Sequence, residues 1–203
     1  MRSVLSADQL NLLPEAPAEP EGLIYRGGFL TPAEEEALAA RIAGLELKPF
    51  QFHGFEGNRR TASFGYHYAF DGSGLKRTAP IPDWLLPARS RAAALIGTTP
   101  EAIEHVLLIE YAPGAGIGWH RDRPVFGDVA GISLLSPARL RFRRKCGSRW
   151  ERYSLIAEPR SAYALRGAAR HEWEHSIPAM ETLRYSITFR TVPPLDFEGR
   201  GTA

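Results

Sequence analysis

Apolar positions change their rhythm near residue 100. Before it, the pattern predicts helices. Thr31 is a good N-cap, Pro32 sits at the first helical position, and Glu34 stands three residues after the cap, completing a capping box. Alanines, Leu38 and Ile42 carry this helix to a C-cap at Gly44. A second helix is predicted over Trp84 to Ile96, entered after Pro80 and Pro82, closed by Gly97, with Pro87 confined to the first turn. Leu23 to Leu30 reads as a short strand. Beyond residue 100 the pattern is extended. Residues 104–111, 129–135, 152–157, 161–166 and 184–192 read as strands, and Arg139-Leu140-Arg141-Phe142-Arg143 alternates with period two. Short strands parted by Gly and Pro turns predict a mainly β protein with flanking helices, an antiparallel sandwich or jelly roll, helices first and strands last.

Composition narrows the class. The chain has 203 residues, 44% hydrophobic and 24% charged, enough for one domain of about 180 residues. Residues 1–21 are expected as a Pro/Glu-rich tail, 22–100 as a helical and substrate-lid extension, 101–195 as the β core, and 196–203 as a C-terminal tail. The one cysteine, Cys146, excludes a disulfide framework and any Cys-built zinc or iron–sulfur site within one chain. No apolar run reaches the ~18–20 residues of a membrane span, and residues 1–8 do not resemble a signal peptide. A soluble cytoplasmic protein, monomeric and without an obligate protein partner, is expected. The net charge of +2 hides a segregated distribution: Arg139, Arg141, Arg143, Arg144, Lys145, Arg149 and Arg152 crowd into fourteen residues, opposed there only by Glu151.

Three motifs compete for the chemistry. His171-Glu172-Trp173-Glu174-His175 matches the zinc-protease pattern His-Glu-x-x-His, which needs a helix. Here Ser176-Ile177-Pro178 follows at once, and proline cannot continue one. His120-Arg121-Asp122 looks like a kinase catalytic loop, but position 127 is Gly and Asp-Phe-Gly is absent. Gly114-Ala115-Gly116-Ile117-Gly118 fails the dinucleotide fingerprint, because the third Gly would fall at Trp119. The third reading joins His120 and Asp122 to the distant His175. On an extended chain His-x-Asp presents both side chains to one face. A second histidine from another strand then completes two imidazoles and a carboxylate on one side of a metal, the facial triad of non-haem Fe(II) oxygenases. A 2-oxoglutarate cosubstrate would further need a buried cation, and arginine grips a carboxylate with a planar fork. The last strand carries Arg184, Ser186, Thr188 and Arg190 on one face. Its two arginines lie about 20 Å apart, so one is expected at the distal carboxylate and the other near the metal or the substrate.

These residues resemble the AlkB-like family of Fe(II)- and 2-oxoglutarate-dependent dioxygenases. The resemblance runs from about Gly22 to Val192. It rests on Glu110-Tyr111-Ala112-Pro113-Gly114, Trp119-His120-Arg121-Asp122, His175-Ser176-Ile177-Pro178 and Arg184 to Arg190, in that order. It implies a double-stranded β-helix with Fe(II) on His120, Asp122 and His175. Tyr111, Arg184 and Ser186 would hold 2-oxoglutarate, with Arg184 on the distal carboxylate, and Arg190 would lie toward the metal. The family uses dioxygen to convert 2-oxoglutarate to succinate and carbon dioxide while hydroxylating an N-linked alkyl carbon, whose hemiaminal collapses to base and aldehyde. Three positions depart from the pattern: Ile109 and Ser186 stand where Asn is frequent, and Pro124 stands where the founding enzyme has an acidic residue facing the base. The stretch Gly131 to Pro137 resembles members whose substrate is not nucleic acid.

An enzyme acting on a base must flip it and hold it against aromatic rings. Phe50, Phe52, His53, Phe55, Arg59, Arg60, Phe64, Tyr66, His67, Tyr68 and Phe70 form a mixed aromatic and basic stretch. In the family, the segment matched by Arg60, Gly65 and Tyr68 covers the active site. Phe64, Tyr66 and Tyr68 are therefore candidates for stacking on the substrate, or else alternating core residues of a strand. Trp119 lines the pocket or packs the core. Arg141 and Arg143 contact phosphates, or belong to a solvated hairpin. Alkylated DNA or RNA is the expected substrate. A protein or small-molecule hydroxylase and a non-catalytic nucleic-acid-binding relative are the alternatives.

Overall fold

The computed structural model describes residues 18–52, 55–69, 72 and 74–193. Most of the expected N-terminal tail and all of the C-terminal one lie outside these residues, as do His53 and Phe70. In chain order the elements are β1 (Leu23–Arg26), α1 (Pro32–Ala43), β2 (Lys48–Phe52), β3 (Phe55–Phe64), β4 (Tyr66–Ala69), β5 (Gly74–Arg77) and α2 (Leu86–Ile96). There follow β6 (Ile103–Tyr111), β7 (Ile117–His120), β8 (Val129–Leu134), β9 (Ala138–Cys146), β10 (Arg149–Ala157), β11 (Ala162–Leu165), α3 (Gly167–His171), β12 (Glu174–Ile177) and β13 (Arg184–Thr191).

Both long helices form where their caps predicted. Thr31 accepts from the Glu34 backbone while the Glu34 side chain accepts from Thr31 N–H, the reciprocal box that starts α1. A 3-10 turn over Asp83–Leu85 precedes α2, which therefore starts two residues later than expected. Gly97 ends it at φ +78°, a left-handed position that suits glycine. β1 stops at Arg26, ahead of Gly27-Gly28.

The strands make a sandwich. A seven-stranded major sheet runs β1-β11-β8-β13-β6-β3-β2, a four-stranded minor sheet runs β10-β9-β12-β7, and β4-β5 form a separate ribbon. The order "helices first, strands last" needs correction: β2 and β3 come from the N-terminal half, and β3 pairs along β6 in the major sheet. Gly65 makes the corner from β3 to β4 at φ +78°, where any Cβ would collide with the Glu104 carbonyl.

Alternation along the major sheet builds two cores. Outward residues such as Val106, Leu108, Ile132, Ile187 and Phe189 pack against Leu38 and Ile42 of α1 and Ala88, Ala92 and Ile96 of α2. Inward residues Ile109, Tyr111, Val129, Tyr163 and Leu165 meet Leu140, Phe142 and Ile177 of the minor sheet. The mouth of this second core is where polar side chains gather.

Candidate active site

β12 lies antiparallel to β7 with His175 directly opposite His120. The pairing sets the two imidazoles side by side, ring centroids 4.3 Å apart. Asp122 follows two residues after His120. One ligand atom from each of the three falls within 4.8 Å of the others. The Nδ1 of His120 lies 2.9 Å from the Gly118 carbonyl. A proton held there leaves Nε2 as the free lone pair. Burial depresses His120 and takes His175 down to about 3, so both rings are neutral at neutral pH. Burial works against the charge of Asp122, but the adjacent Arg190 guanidinium, the strongest charge facing it, holds the carboxyl well below the usual range. Two neutral imidazoles and an ionised carboxylate are the protonation states that a divalent cation requires.

Arg190 is matched to this end. Its Nη2 donates to Asp122 Oδ1 at 3.1 Å and its Nε lies 3.4 Å from Oδ2. Behind it, His105 is 3% exposed, stacks on Phe126 at 4.5 Å and is kept neutral by burial. The loop after Asp122 is fastened by Arg170, whose guanidinium donates to the carbonyls of Gly127, Asp122, Arg123 and Phe126 at 2.7, 3.2, 2.8 and 2.6 Å.

The other end of β13 is different. Arg184 is fully buried, opposite Tyr111 in register, with its guanidinium 5.1 Å from the Tyr111 ring. Its Nε donates to Ser133 Oγ at 3.0 Å. Its two terminal nitrogens have no partner among the described residues. A buried cation costs several kcal/mol unless an anion answers it, so the open fork fits a carboxylate that the chain does not supply. Tyr163 stands close by, its phenol pushed up to about 12 mainly by burial. Gly131 makes room for it, since a Cβ there would strike the Tyr163 ring.

Between the two ends lies a cavity of about 1620 Å³, lined among others by Arg59, Tyr68, Trp119, His120, Asp122 and His175. Tyr111, Ser186, Thr188 and Arg190 also face it. The structure thus gathers the three metal candidates, Tyr111, Ser186 and Arg190 around one space, with Arg184 adjoining. Of the seven substrate candidates, Tyr68 and Trp119 border the cavity. Arg60 does not: it turns to the helix side of the sheet and pairs with Glu110 through two hydrogen bonds of 2.7 and 2.9 Å. Phe64 packs on the helix-side core, and Tyr66 is buried under Arg77. Arg141 and Arg143 sit on the outer face of the minor sheet, over Trp119. The His171–His175 pair is not on one helix, since α3 ends at His171 and His175 belongs to β12. The sequence reading missed Ser133, Tyr163, Arg170 and the inward placement of Arg59. The inner-face alternation of β8, with Gly131 and Ser133, was the available signal for the first two.

The sequence model described as the 2OG-Fe(II) oxygenase superfamily matches residues 22–190. The chain belongs to this family. Its AlkB-like character is shown by a bovine relative, "Alpha-ketoglutarate-dependent dioxygenase alkB homolog 7, mitochondrial", 32% identical, with 77% of this chain and 67% of that protein covered. The Arabidopsis thaliana protein "Alkylated DNA repair protein ALKBH8 homolog" is 27% identical over 77% of this chain and 51% of its own length, so the chain spans about half of it. The solved structure of OsALKBH1 superposes with a TM-score of 0.65 at 14% identity, covering 86% of this chain and 98% of that one, which establishes the shared fold. Members of this oxygenase family use Fe(II), 2-oxoglutarate and dioxygen. The residues present fit that set: nitrogen and oxygen donors for the metal, and the open Arg184 fork for a dicarboxylate. No helix among the described residues is long and apolar enough to cross a membrane.

Proposed function

We propose that this AlkB-like oxygenase removes N-linked alkyl groups from bases of DNA or RNA. The observation that carries the reading is the cavity above the triad. Its volume of about 1620 Å³ takes in the metal and cosubstrate positions together with room beside them, where Tyr68 offers a flat partner for a flipped base and Trp119 stands at the lip. Two relatives carry names pointing the same way: the Arabidopsis protein above and the zebrafish (Danio rerio) "Probable RNA/DNA demethylase ALKBH6", 32% identical over 53% of this chain and 43% of that protein.

His120, Asp122 and His175 would hold Fe(II) from one side, leaving its other positions open toward the cavity. Arg184, with Tyr111 and Ser133 around it, would take the distal carboxylate of 2-oxoglutarate. Bound together, the metal, the cosubstrate and dioxygen supply the oxidising power that hydroxylates an alkyl carbon. The protein's own residues do the positioning. Gly118 fixes the His120 tautomer, Arg190 keeps Asp122 ionised and aimed, and Arg170 holds the loop that carries it. Tyr68 leans on that loop, its ring 5.0 Å from the Arg123 guanidinium. A base pressed against Tyr68 would share the cavity with His120, Asp122 and His175.

The test uses purified protein with Fe(II), 2-oxoglutarate and a panel of alkylated oligonucleotides followed by mass. Loss of the alkyl mass with succinate and aldehyde release is expected. Succinate formation that leaves every oligonucleotide unchanged would overturn the base-repair reading in favour of a protein or small-molecule substrate.

A further inference from the structure

The basic hairpin is β9 and β10, and alternation sorts its charges onto two faces. Leu140 and Phe142 are core residues. Arg139, Arg141, Arg143 and Lys145 therefore project from the outer face of the minor sheet. Trp150 and Arg152 stand beside them, directly opposite Lys145 and Arg143 in the ladder. Arg144 falls on the reverse side, where Glu151 and Glu172 neutralise it. Within the hairpin itself only Glu151 opposes the cluster, and the fold adds Glu172 and Glu174 from about thirty residues further along. Glu174 pairs with Arg143 at 2.6 Å. Arg139, Lys145 and Arg152 form no ion pair with any described residue. Like charges placed opposite one another, as Arg143 and Arg152 are, destabilise a strand pair. Arg141 and Arg143 have partners within the fold, Ser176 and Glu174, but the ion pairs of the fold do not account for Arg139, Lys145 and Arg152.

The same face is aromatic and pre-organised. The Arg143 guanidinium lies between Trp119 and Trp150, 4.4 and 4.5 Å from their centroids. Trp150 is 40% exposed. Trp119 also borders the catalytic cavity, so the face reaches from the cavity lip to the sheet edge, with Glu174 standing in it beside Arg143. Four strands make it about 14 Å across, and Arg139 to Arg143 adds about 13 Å along β9, room for a few consecutive phosphates.

We propose that the outer face of the minor sheet is a docking track for the phosphodiester backbone of the nucleic acid whose base enters the cavity. Unpaired cations supply affinity without reading sequence. The tryptophans beside them offer stacking surface to an unpaired strand, a pairing of features that single-strand binders use. The proposal rests on the nucleic-acid reading of the catalytic site.

The decisive experiment follows binding of a fluorescein-labelled oligothymidylate to the Fe(II)- and 2-oxoglutarate-loaded protein by anisotropy as salt is raised. Polyglutamate and phosphatidylserine vesicles serve as competing polyanions. The triple variant Arg139→Ala, Lys145→Ala, Arg152→Ala removes three cations that pair with nothing in the fold. Its slope of log affinity against log salt should fall by about 2, at about 0.7 per lost phosphate contact, while 2-oxoglutarate turnover without nucleic acid is unchanged. Arg139→Lys with Arg152→Lys should keep the slope. An unchanged slope in the triple variant overturns the track, as does loss of polyglutamate or vesicle binding with oligothymidylate binding intact. If binding falls as expected but the wild type dealkylates no oligonucleotide, the track stands and the catalytic reading fails. If the triple variant dealkylates oligonucleotides with an unaltered KM, the track fails and the catalytic reading stands.

Discussion

Arg184 and Arg190 stand on the same inward face of one strand, about 20 Å apart, and both are buried. Their surroundings differ. Arg190 is answered within the chain by Asp122, which itself points at the metal position. Arg184 has one hydrogen bond, to Ser133, and two terminal nitrogens with no partner among the described residues. A buried cation with its anion in place is part of the framework. One without an anion is a site held ready for it, because the desolvation cost of its charge is repaid only on binding. The strand thus carries a positioning arginine at one end and a binding arginine at the other.

The comparison breaks first at the metal end. Asp122→Ala removes a ligand and strands Arg190, so turnover should drop to background, and the metal-free protein should lose about 3–5 kcal/mol of stability. Urea unfolding of the metal-free variant checks the second effect independently of activity. At the other end the signs separate. Arg184→Met removes an unanswered charge, so the protein without ligand should be as stable as the wild type or more so. Ser133 would keep its contact to the Ala157 carbonyl. Yet the KM for 2-oxoglutarate should rise by the equivalent of about 2–5 kcal/mol, from tens of fold to over a thousand. Thermal melts sharpen this: 2-oxoglutarate at a hundred times its wild-type Kd should stabilise the wild type by about 2.7 kcal/mol and Arg184→Met by less than about 1 kcal/mol. A variant destabilised without ligand would show Arg184 to be framework after all.

A smaller effect is expected at Arg170, which touches no ligand atom but holds the Asp122 loop by four carbonyls. Arg170→Met should weaken metal affinity about 10–100-fold, the usual cost of losing an outer-shell support, with the cosubstrate KM unchanged once metal is saturating. Metal titration by calorimetry separates the two.

Much of this site is legible in the sequence because it lies within single strands. Period two puts Arg184, Ser186 and Arg190 on one face without any knowledge of the fold, and His-x-Asp follows the same rule. The roles of Arg170 and Glu174 were not legible. Arg170 binds backbone carbonyls, which every residue has, and Glu174 meets Arg143 only through the β12–β9 ladder. The helices were readable from their caps. The N-terminal strands were obscured because β3 draws its stability from pairing with β6, a partner more than forty residues away, and β2 in turn pairs, among the described residues, only with β3.

The Arg59–Arg60 pair shows where period two stops being enough. Alternation states that the two face opposite ways, but only the register of β3 on β6 states which one faces in. That register sets Arg59 across from Tyr111 and Arg60 across from Glu110. Arg59 therefore borders the cavity, with its guanidinium 3.8 Å over the Phe50 ring, while Arg60 is half-exposed and bound to a carboxylate on the far side. Arg60 answers the buried Glu110 through two hydrogen bonds, so losing it costs stability, but Arg60 reaches nothing in the site. Arg60→Ala should leave kcat and the KM for both 2-oxoglutarate and oligonucleotide unchanged, whereas Arg59→Ala should raise the oligonucleotide KM. The opposite outcome in steady-state kinetics would mean that β3 is paired one residue out of register. A one-residue slip would turn the whole inner face of that strand away from the metal.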